Sequence, residues 1–190
     1  MQIKVENTAI SNGVATSVKK FLDTLNSPVL DYGAGKLRNA KYLAKMGFEV
    51  SVLDTTLQVN KWSNEDKSLF KEVFTDKLPE TNTYNTIFVT FVLNVVPDIE
   101  VRKSILHSVH NALTEEGTVI VEVRRNRGIM QSKTLTPYND GFLLGGSKVK
   151  TFQKPFTEEE ARNLVEEFFE VVELWKTGDS IIVRGVKRCT

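Results

Sequence analysis

Residues 29–35 read Val29-Leu30-Asp31-Tyr32-Gly33-Ala34-Gly35, a short apolar strand running into a glycine-rich turn. Before it, residues 12–26 carry Val14, Val18, Phe21, Leu22 and Leu25 at helical spacing, and Pro28 ends that helix. After it, residues 37–46 resume helical spacing through Leu37, Ala40, Leu43 and Ala44, and Gly47 supplies the stop. Phe48 to Leu53 then form a second strand, closed by Asp54. Strand, glycine loop, helix, glycine, strand and acid make a βαβ unit. The glycines let the backbone come close to a ligand. The helix behind them turns free N–H groups and a positive dipole end toward an anionic group. Asp54, 21 positions beyond Gly33, stands where an acid accepts hydrogen bonds from both hydroxyls of a ribose. Together these residues describe a site for a nucleoside-containing ligand. A nicotinamide fingerprint wants a third glycine where Arg38 stands.

Outward from this unit the pattern keeps alternating, which predicts an α/β domain with a mostly parallel sheet. Residues 57–68 are polar, with room for a short helix, and Leu69 to Phe74 read as a third strand ending near Asp76. Asn85 to Leu93 is a continuous apolar run, the mark of a strand buried on both faces. Asp98 caps a helix reaching Leu113, with Val101, Ile105, Leu106, Val109 and Leu113 expected inward. Thr118 to Val123 is another apolar strand. Thr157 and the acids Glu158 to Glu160 open a helix running to about Phe168. Phe169 to Lys176 and Ser180 to Lys187 are joined only by Thr177-Gly178-Asp179, so they pair antiparallel.

Residues 124–155 interrupt the rhythm as a long basic loop insertion. From Arg124 to Lys154 there are seven Lys or Arg against one acid, Asp140. The 190 residues suit one domain, with 41% hydrophobic and 26% charged residues excluding a disordered chain. A net charge of +1 gives no global pull toward nucleic acid or membrane. The single cysteine, Cys189, excludes an internal disulfide and a thiolate zinc cluster. No apolar run approaches a membrane span, and MQIKVENTAI has no signal-peptide core, so a cytoplasmic protein is expected.

Nearly the whole chain resembles the class I S-adenosylmethionine-dependent methyltransferases. Residues 29–35 look like that family's first motif, and Asp54 falls where its ribose-binding acid sits. Val73-Phe74-Thr75-Asp76-Lys77-Leu78-Pro79 and Tyr84-Asn85-Thr86-Ile87 resemble its third-strand acid and fourth-strand motif. Leu113-Thr114-Glu115-Glu116-Gly117 matches the turn before strand five, and the closing hairpin is similar to the family's reversed seventh strand. Two departures stand out: Leu37 replaces the third glycine of the first motif, and Asn85 replaces an aspartate. Within the family, residues 35–44 look like the Gly-x-Gly-Arg-Asn-x-x-x-Leu-Ala stretch of tellurite-resistance-type enzymes. Residues 92–98, Asp140-Gly141 and Thr151-Phe152-Gln153-Lys154 are similar to methyltransferases associated with DNA phosphorothioation genes.

The resemblance implies a Rossmann-like sheet of seven strands, with six parallel and the last antiparallel, and helices on both faces. It implies S-adenosylmethionine as cofactor, held by Asp31, Tyr32, Gly33, Gly35, Asp54, Thr55, Asp76, Lys77, Thr90 and Phe91. In that scheme Gly33 and Gly35 pass beneath the methionine part while Asp31 orients its amino group. Asp54 takes the ribose, Asp76 accepts from the adenine amine with Lys77 beside it, and Thr90 and Phe91 flank the sulfonium. A methyl sulfonium is already electrophilic, so the protein has chiefly to hold the nucleophile in line and exclude water. Asn94, just past strand four, and Arg124, at the end of strand five, are the acceptor-side candidates. The sequence Asn94-Val95-Val96-Pro97 is not the Asn/Asp-Pro-Pro-aromatic motif of enzymes that methylate base amino groups in DNA.

A small-molecule acceptor is therefore expected. A nucleic acid reached through the basic loop, or a non-catalytic subunit of the same fold, are the alternatives; Arg38 and the terminal hairpin stand against a nicotinamide-dependent reductase. No metal is expected: His107 and His110 lie three apart on a helix without accompanying carboxylates or thiols, which suits a structural role. Trp62 and Trp175 read as packing residues, and Cys189 as inert.

Overall fold

The structure is a computed structural model that describes residues 4–5, 13–79, 82–125, 135–145 and 149–188. Its main sheet is built on two apolar strands of the motif unit, β2 (Val29–Tyr32) and β3 (Val50–Asp54). They pair in parallel, with Asp31 opposite Val52. Beyond them lie β4 (Val73–Thr75), β5 (Tyr84–Thr90) and β6 (Leu113–Arg124), then the hairpin β10 (Phe169–Thr177) and β11 (Ser180–Lys187). The order is β10-β11-β6-β5-β2-β3-β4. Only β11 runs against the rest, paired antiparallel to both β6 and β10. This is the seven-stranded Rossmann-like arrangement expected from the sequence.

Strand periodicity divides the sheet's two faces between two cores. Leu30, Ile87, Val89, Val119 and Val121 point to one face. There they meet α5 (Ile99–Ala112) and α6 (Glu158–Glu166) through Leu106, Val109, Leu164 and Val165. Val29, Val52, Phe88 and Ile120 point to the other. That face is covered by α1 (Thr16–Phe21) and α2 (Arg38–Lys45), by α3 (Thr56–Val59), and by Trp62 and Phe70 on either side of α4 (Asn64–Lys67), which itself buries no residue. The same alternation sets Asp31, Asp54, Thr90 and Glu122 on this second face, at or just below the C-terminal ends of four neighbouring strands.

Several sequence expectations are refined. The helix expected over 12–26 is α1 plus a 3₁₀ turn, Leu22–Thr24. Val101 is exposed rather than inward; Arg102, fully buried, takes the inward place. The capping box at α6 forms as expected, with Thr157 and Glu160 satisfying each other's backbone N–H. The described part of the 124–155 insertion is a second small sheet. It comprises β7 (Thr136–Tyr138), β8 (Gly141–Gly145) and β9 (Val149–Gln153), and β9 pairs in parallel with β1 (Lys4–Val5). Asn126, Arg127 and Cys189 lie outside the described residues.

The hairpin is fixed at its turn. Arg102 donates twice to the Asp140 carboxylate, at 2.5 and 2.7 Å, and once to the Val96 carbonyl at 2.7 Å. Lys154 pairs with Glu160 at 2.8 Å and approaches Asp140 at 3.5 Å. Burial opposes charge on Asp140, but the hydrogen bonds and charge of Arg102, with Lys154, hold its carboxyl below the usual range. His107 and His110 face the rings of Phe168 and Phe169.

Candidate active site

The glycine turn after β2 is wired by its own neighbours. Gly33 and Ala34 donate their N–H groups to the Leu53 carbonyl at 2.8 and 3.0 Å. Asp54 accepts the Gly35 N–H at 2.7 Å on one oxygen and the Thr55 N–H at 2.7 Å on the other. The Gly35 carbonyl in turn accepts from Gln58 at 2.6 Å and from the Trp62 indole at 2.8 Å. Trp62 therefore does more than pack: it holds the loop. Gly33 is required twice over. Its φ is +71°, and a β-carbon there would fall 2.4 Å from the Val92 Cγ2 methyl.

Leu37 stands at the position of the first motif's third glycine. It adopts φ 61°, ψ 19°, the left-handed geometry a glycine would supply, and its side chain is 1% exposed within the core beside Ala40 and Leu43. The backbone conformation costs on the order of 1 kcal/mol, and the buried isobutyl group offsets that cost.

Beside the turn lie two opposite charges whose buried polar atoms are not fully partnered among the described residues. Asp31 is completely buried and neither carboxylate oxygen is fully satisfied. Burial above all, then the charge of Asp54, pushes its carboxyl up to about 7, with Ala40, Asn39 and Arg38 easing it only in part. Arg38 opens α2, and its Nε and Nη1 are buried without acceptors. Burial lowers its pKa while Asp31 raises it. In the sequence Arg38 marks only a missing glycine, and nothing there signals that its Nε and Nη1 are buried. A zwitterionic amino acid has the charges that this pair lacks, so the residues fit the methionine end of S-adenosylmethionine.

The remaining expected residues divide between the two ends of the site. Asp76 and Lys77 follow β4 and are exposed. The Asp76 carboxylate accepts the Thr56 N–H at 3.0 Å and its hydroxyl at 2.5 Å, bonds that lower its pKa. It thereby ties the end of β4 to the first turn of α3. Tyr32 packs against the opposite core, on the α5 face. Thr90 accepts from the Asn39 side chain at 2.9 Å, and the Asn39 oxygen accepts the Ala15 N–H at 2.9 Å. Phe91, at φ 58°, donates its N–H to the Glu122 carbonyl at 2.7 Å.

Of the acceptor-side candidates, Arg124 stacks 5.0 Å from the Phe91 ring centroid and pairs with Asp179 at 3.4 Å. Asn94 is buried; it donates to Gln153 at 3.0 Å and its carbonyl accepts the Lys154 N–H at 2.7 Å, so it anchors the inserted hairpin. Glu122, absent from the sequence-based candidates, is 1% exposed at the end of β6. It is the one charged residue in the run Thr118–Val123, the signal by which it is recognisable.

A doubly covered, mostly parallel sheet with one reversed strand and a glycine loop after β2 defines a Rossmann-like fold. Residues 8–174 match the family described as Methyltransferase domain, and the chain belongs to that family. No curated protein matches it in sequence. Among solved structures it is similar to the PH0226 protein from Pyrococcus horikoshii OT3, with 17% identity, 90% of this chain and 88% of that one covered, and a TM-score of 0.75. It is also similar to the 1,6-didemethyltoxoflavin-N1-methyltransferase of Burkholderia thailandensis, solved with its substrate and S-adenosylhomocysteine (16% identity, 90% and 78% covered, TM-score 0.64). The glycopeptide N-methyltransferase MtfA in complex with S-adenosylmethionine aligns at 15% identity over 94% and 88% of the chains, with a TM-score of 0.64.

Proposed function

We propose that this protein transfers a methyl group from S-adenosylmethionine to a small-molecule acceptor. The observation that carries the reading is the completely buried Asp31 carboxylate beside the half-buried Arg38 guanidinium, whose Nε and Nη1 lack acceptors among the described residues, next to the glycine turn that Asp54 holds. The ammonium and carboxylate of methionine complete that pair, and the ribose hydroxyls reach the remaining lone pairs of Asp54. Membership of the methyltransferase family supports it. So do the two similar structures holding S-adenosylmethionine or its product.

Two observations favour a small acceptor over nucleic acid. Two described cations of the inserted segment are spent within the protein, Lys154 on Glu160 and Asp140, and Arg124 on Asp179. The described hairpin is also pinned to the domain by Asp140 rather than presented as a basic arm. Among the described residues no helix is long and apolar enough to cross a membrane.

Titration calorimetry with S-adenosylhomocysteine tests the reading. Saturable one-to-one binding that Arg38→Ala abolishes is the expected result. A folded wild-type chain that binds neither S-adenosylhomocysteine nor S-adenosylmethionine would overturn it. Mass spectrometry of the products formed with methyl-labelled cofactor and candidate small molecules then identifies the acceptor.

A further inference from the structure

Glu122 lies at the register of Thr90, at the C-terminal end of β6, and its side chain turns to the face that carries Asp31 and Asp54. One of its carboxylate oxygens accepts the Ser17 N–H at 2.9 Å. The other, Oε1, is buried and has no donor among the described residues. The Ser17 hydroxyl beside it is likewise buried and without a partner among the described residues. Asn39 joins the Ala15 N–H to the Thr90 hydroxyl oxygen, and the Phe91 N–H is taken by the Glu122 carbonyl. A buried carboxylate oxygen left in this state beside an unpartnered hydroxyl suits a polar ligand that can donate, and a cationic one best.

The sheet order says which part of a bound complex that donor belongs to. Asp54 on β3 and the Asp31–Arg38 pair at β2 and α2 fix the sugar and amino-acid ends of the cofactor in the reading proposed above, on which this inference rests. The sulfonium lies between those ends. Glu122 stands on β6, two strand positions beyond β2, about 10 Å across the sheet. That is the side from which a nucleophile would approach the methyl group.

We propose that Glu122 binds and deprotonates the acceptor, and that the acceptor is an amine. The nitrogen lone pair forms the new bond to the methyl carbon. The carbon–sulfur bond breaks with its electron pair going to sulfur, leaving the neutral thioether. The proton shed by nitrogen passes to Glu122 Oε1 and from there to water when the products leave. The Ser17 N–H on the other oxygen holds the carboxylate still while this happens.

The test uses sinefungin, an S-adenosylhomocysteine analogue with an amine-bearing carbon in place of sulfur, so that an ammonium occupies the transferred methyl's place. Calorimetry on the full chain compares the two ligands in the wild type and in Glu122→Gln, which keeps an oxygen for the Ser17 N–H. The expected result is tenfold or greater preference of the wild type for sinefungin. Glu122→Gln should lose that preference while binding S-adenosylhomocysteine within twofold of wild type. Unchanged sinefungin affinity in the variant, or an equal loss for both ligands, overturns the assignment. If the wild type binds neither ligand, the proposed function falls and the assignment with it. Should the glutamine variant fail to fold, Glu122→Asp, which withdraws the charge by one methylene, must show the same selective loss for the assignment to stand.

Discussion

The two ends of this site are built from different kinds of contact. Over β2, β3 and β4 the partners are close in sequence: Gly35 and Asp54 are 19 residues apart, Gly35 and Gln58 are 23, Gly35 and Trp62 are 27. Over β5 and β6 they are distant: Arg102 and Asp140 are 38 apart, Asn94 and Gln153 are 59, Ser17 and Glu122 are 105. The first end is a βαβ unit whose loop geometry follows from local chain chemistry. The second is assembled only when the N-terminal segment, the insertion and the sheet come together. One end should therefore answer to mutation mainly in ligand affinity, and the other mainly in the stability of the assembly.

The largest effect should come from the distant end. Asp140→Ala leaves the fully buried Arg102 guanidinium with the Val96 carbonyl as its one hydrogen-bond acceptor among the described residues. Removing one partner of a buried pair is far costlier than replacing both. Asp140 itself is 42% exposed, which moderates the loss, so a decrease of about 3 kcal/mol in unfolding free energy is expected by urea denaturation. The sign with pH also follows. Asp140 has a folded pKa below its unfolded value, so its contribution is present above the usual carboxylate range and fades as pH falls through the folded pKa. A stability curve indifferent to the mutation would erase the proposed contrast between the ends.

Next in size is Asp54→Ala, which should weaken S-adenosylhomocysteine binding by about 1–3 kcal/mol while moving the unfolding midpoint much less than Asp140→Ala does. It removes the acceptor of both the Gly35 and Thr55 N–H groups as well as the sugar contact. Calorimetry and urea melts on the same sample give both numbers. Equal stability losses for the two variants would show that the ends are not separately built.

A smaller effect sharpens the local end further. Asp31 carries a pKa pushed up to about 7, by burial first and Asp54 second. For a carboxyl raised in the folded state, the sign is the reverse of that at Asp140. The folded chain holds a proton that the unfolded chain releases near pH 4, so stability from this group declines as pH rises from about 4 to about 7 and is level above. A bound ammonium favours the ionised form. Cofactor affinity should therefore climb about tenfold between pH 6 and pH 8, and Asp31→Asn should flatten the profile. Calorimetry in buffers of different ionisation enthalpy would register the released proton.

The same division governs what could be read from the residues alone. β2, the glycine turn, α2 and β3 were legible because each rests on nearby residues: an apolar run, glycines at a turn, 3.6-residue spacing. The reversed β11 was legible from a turn too short for any other pairing. Val101 was misread and Arg102 passed over because periodicity counts apolar residues, and a partner 38 positions away makes this arginine a core residue. Arg38 was on the page but unremarkable, since its burial depends on how α2 settles over Asp31. Glu122 looked like one polar break in a strand, and Ser17 gives no sign of meeting it.

Trp62 carries the smallest of these effects and the finest discrimination. Its indole N–H and the Gln58 amide share the Gly35 carbonyl, whose N–H is in turn held by Asp54, so the loop is clamped from both sides of one residue. Trp62→Phe keeps most of the buried ring and removes one donor. Because Gln58 still satisfies the carbonyl, the loss should be near the low end for a hydrogen bond, about 1 kcal/mol or fivefold in S-adenosylhomocysteine affinity. Gln58→Ala alone should behave similarly, whereas the double variant orphans the carbonyl and should cost more than the sum of the two. Strict additivity in that cycle would mean that the two donors act on the ligand independently, and not through the loop that both hold.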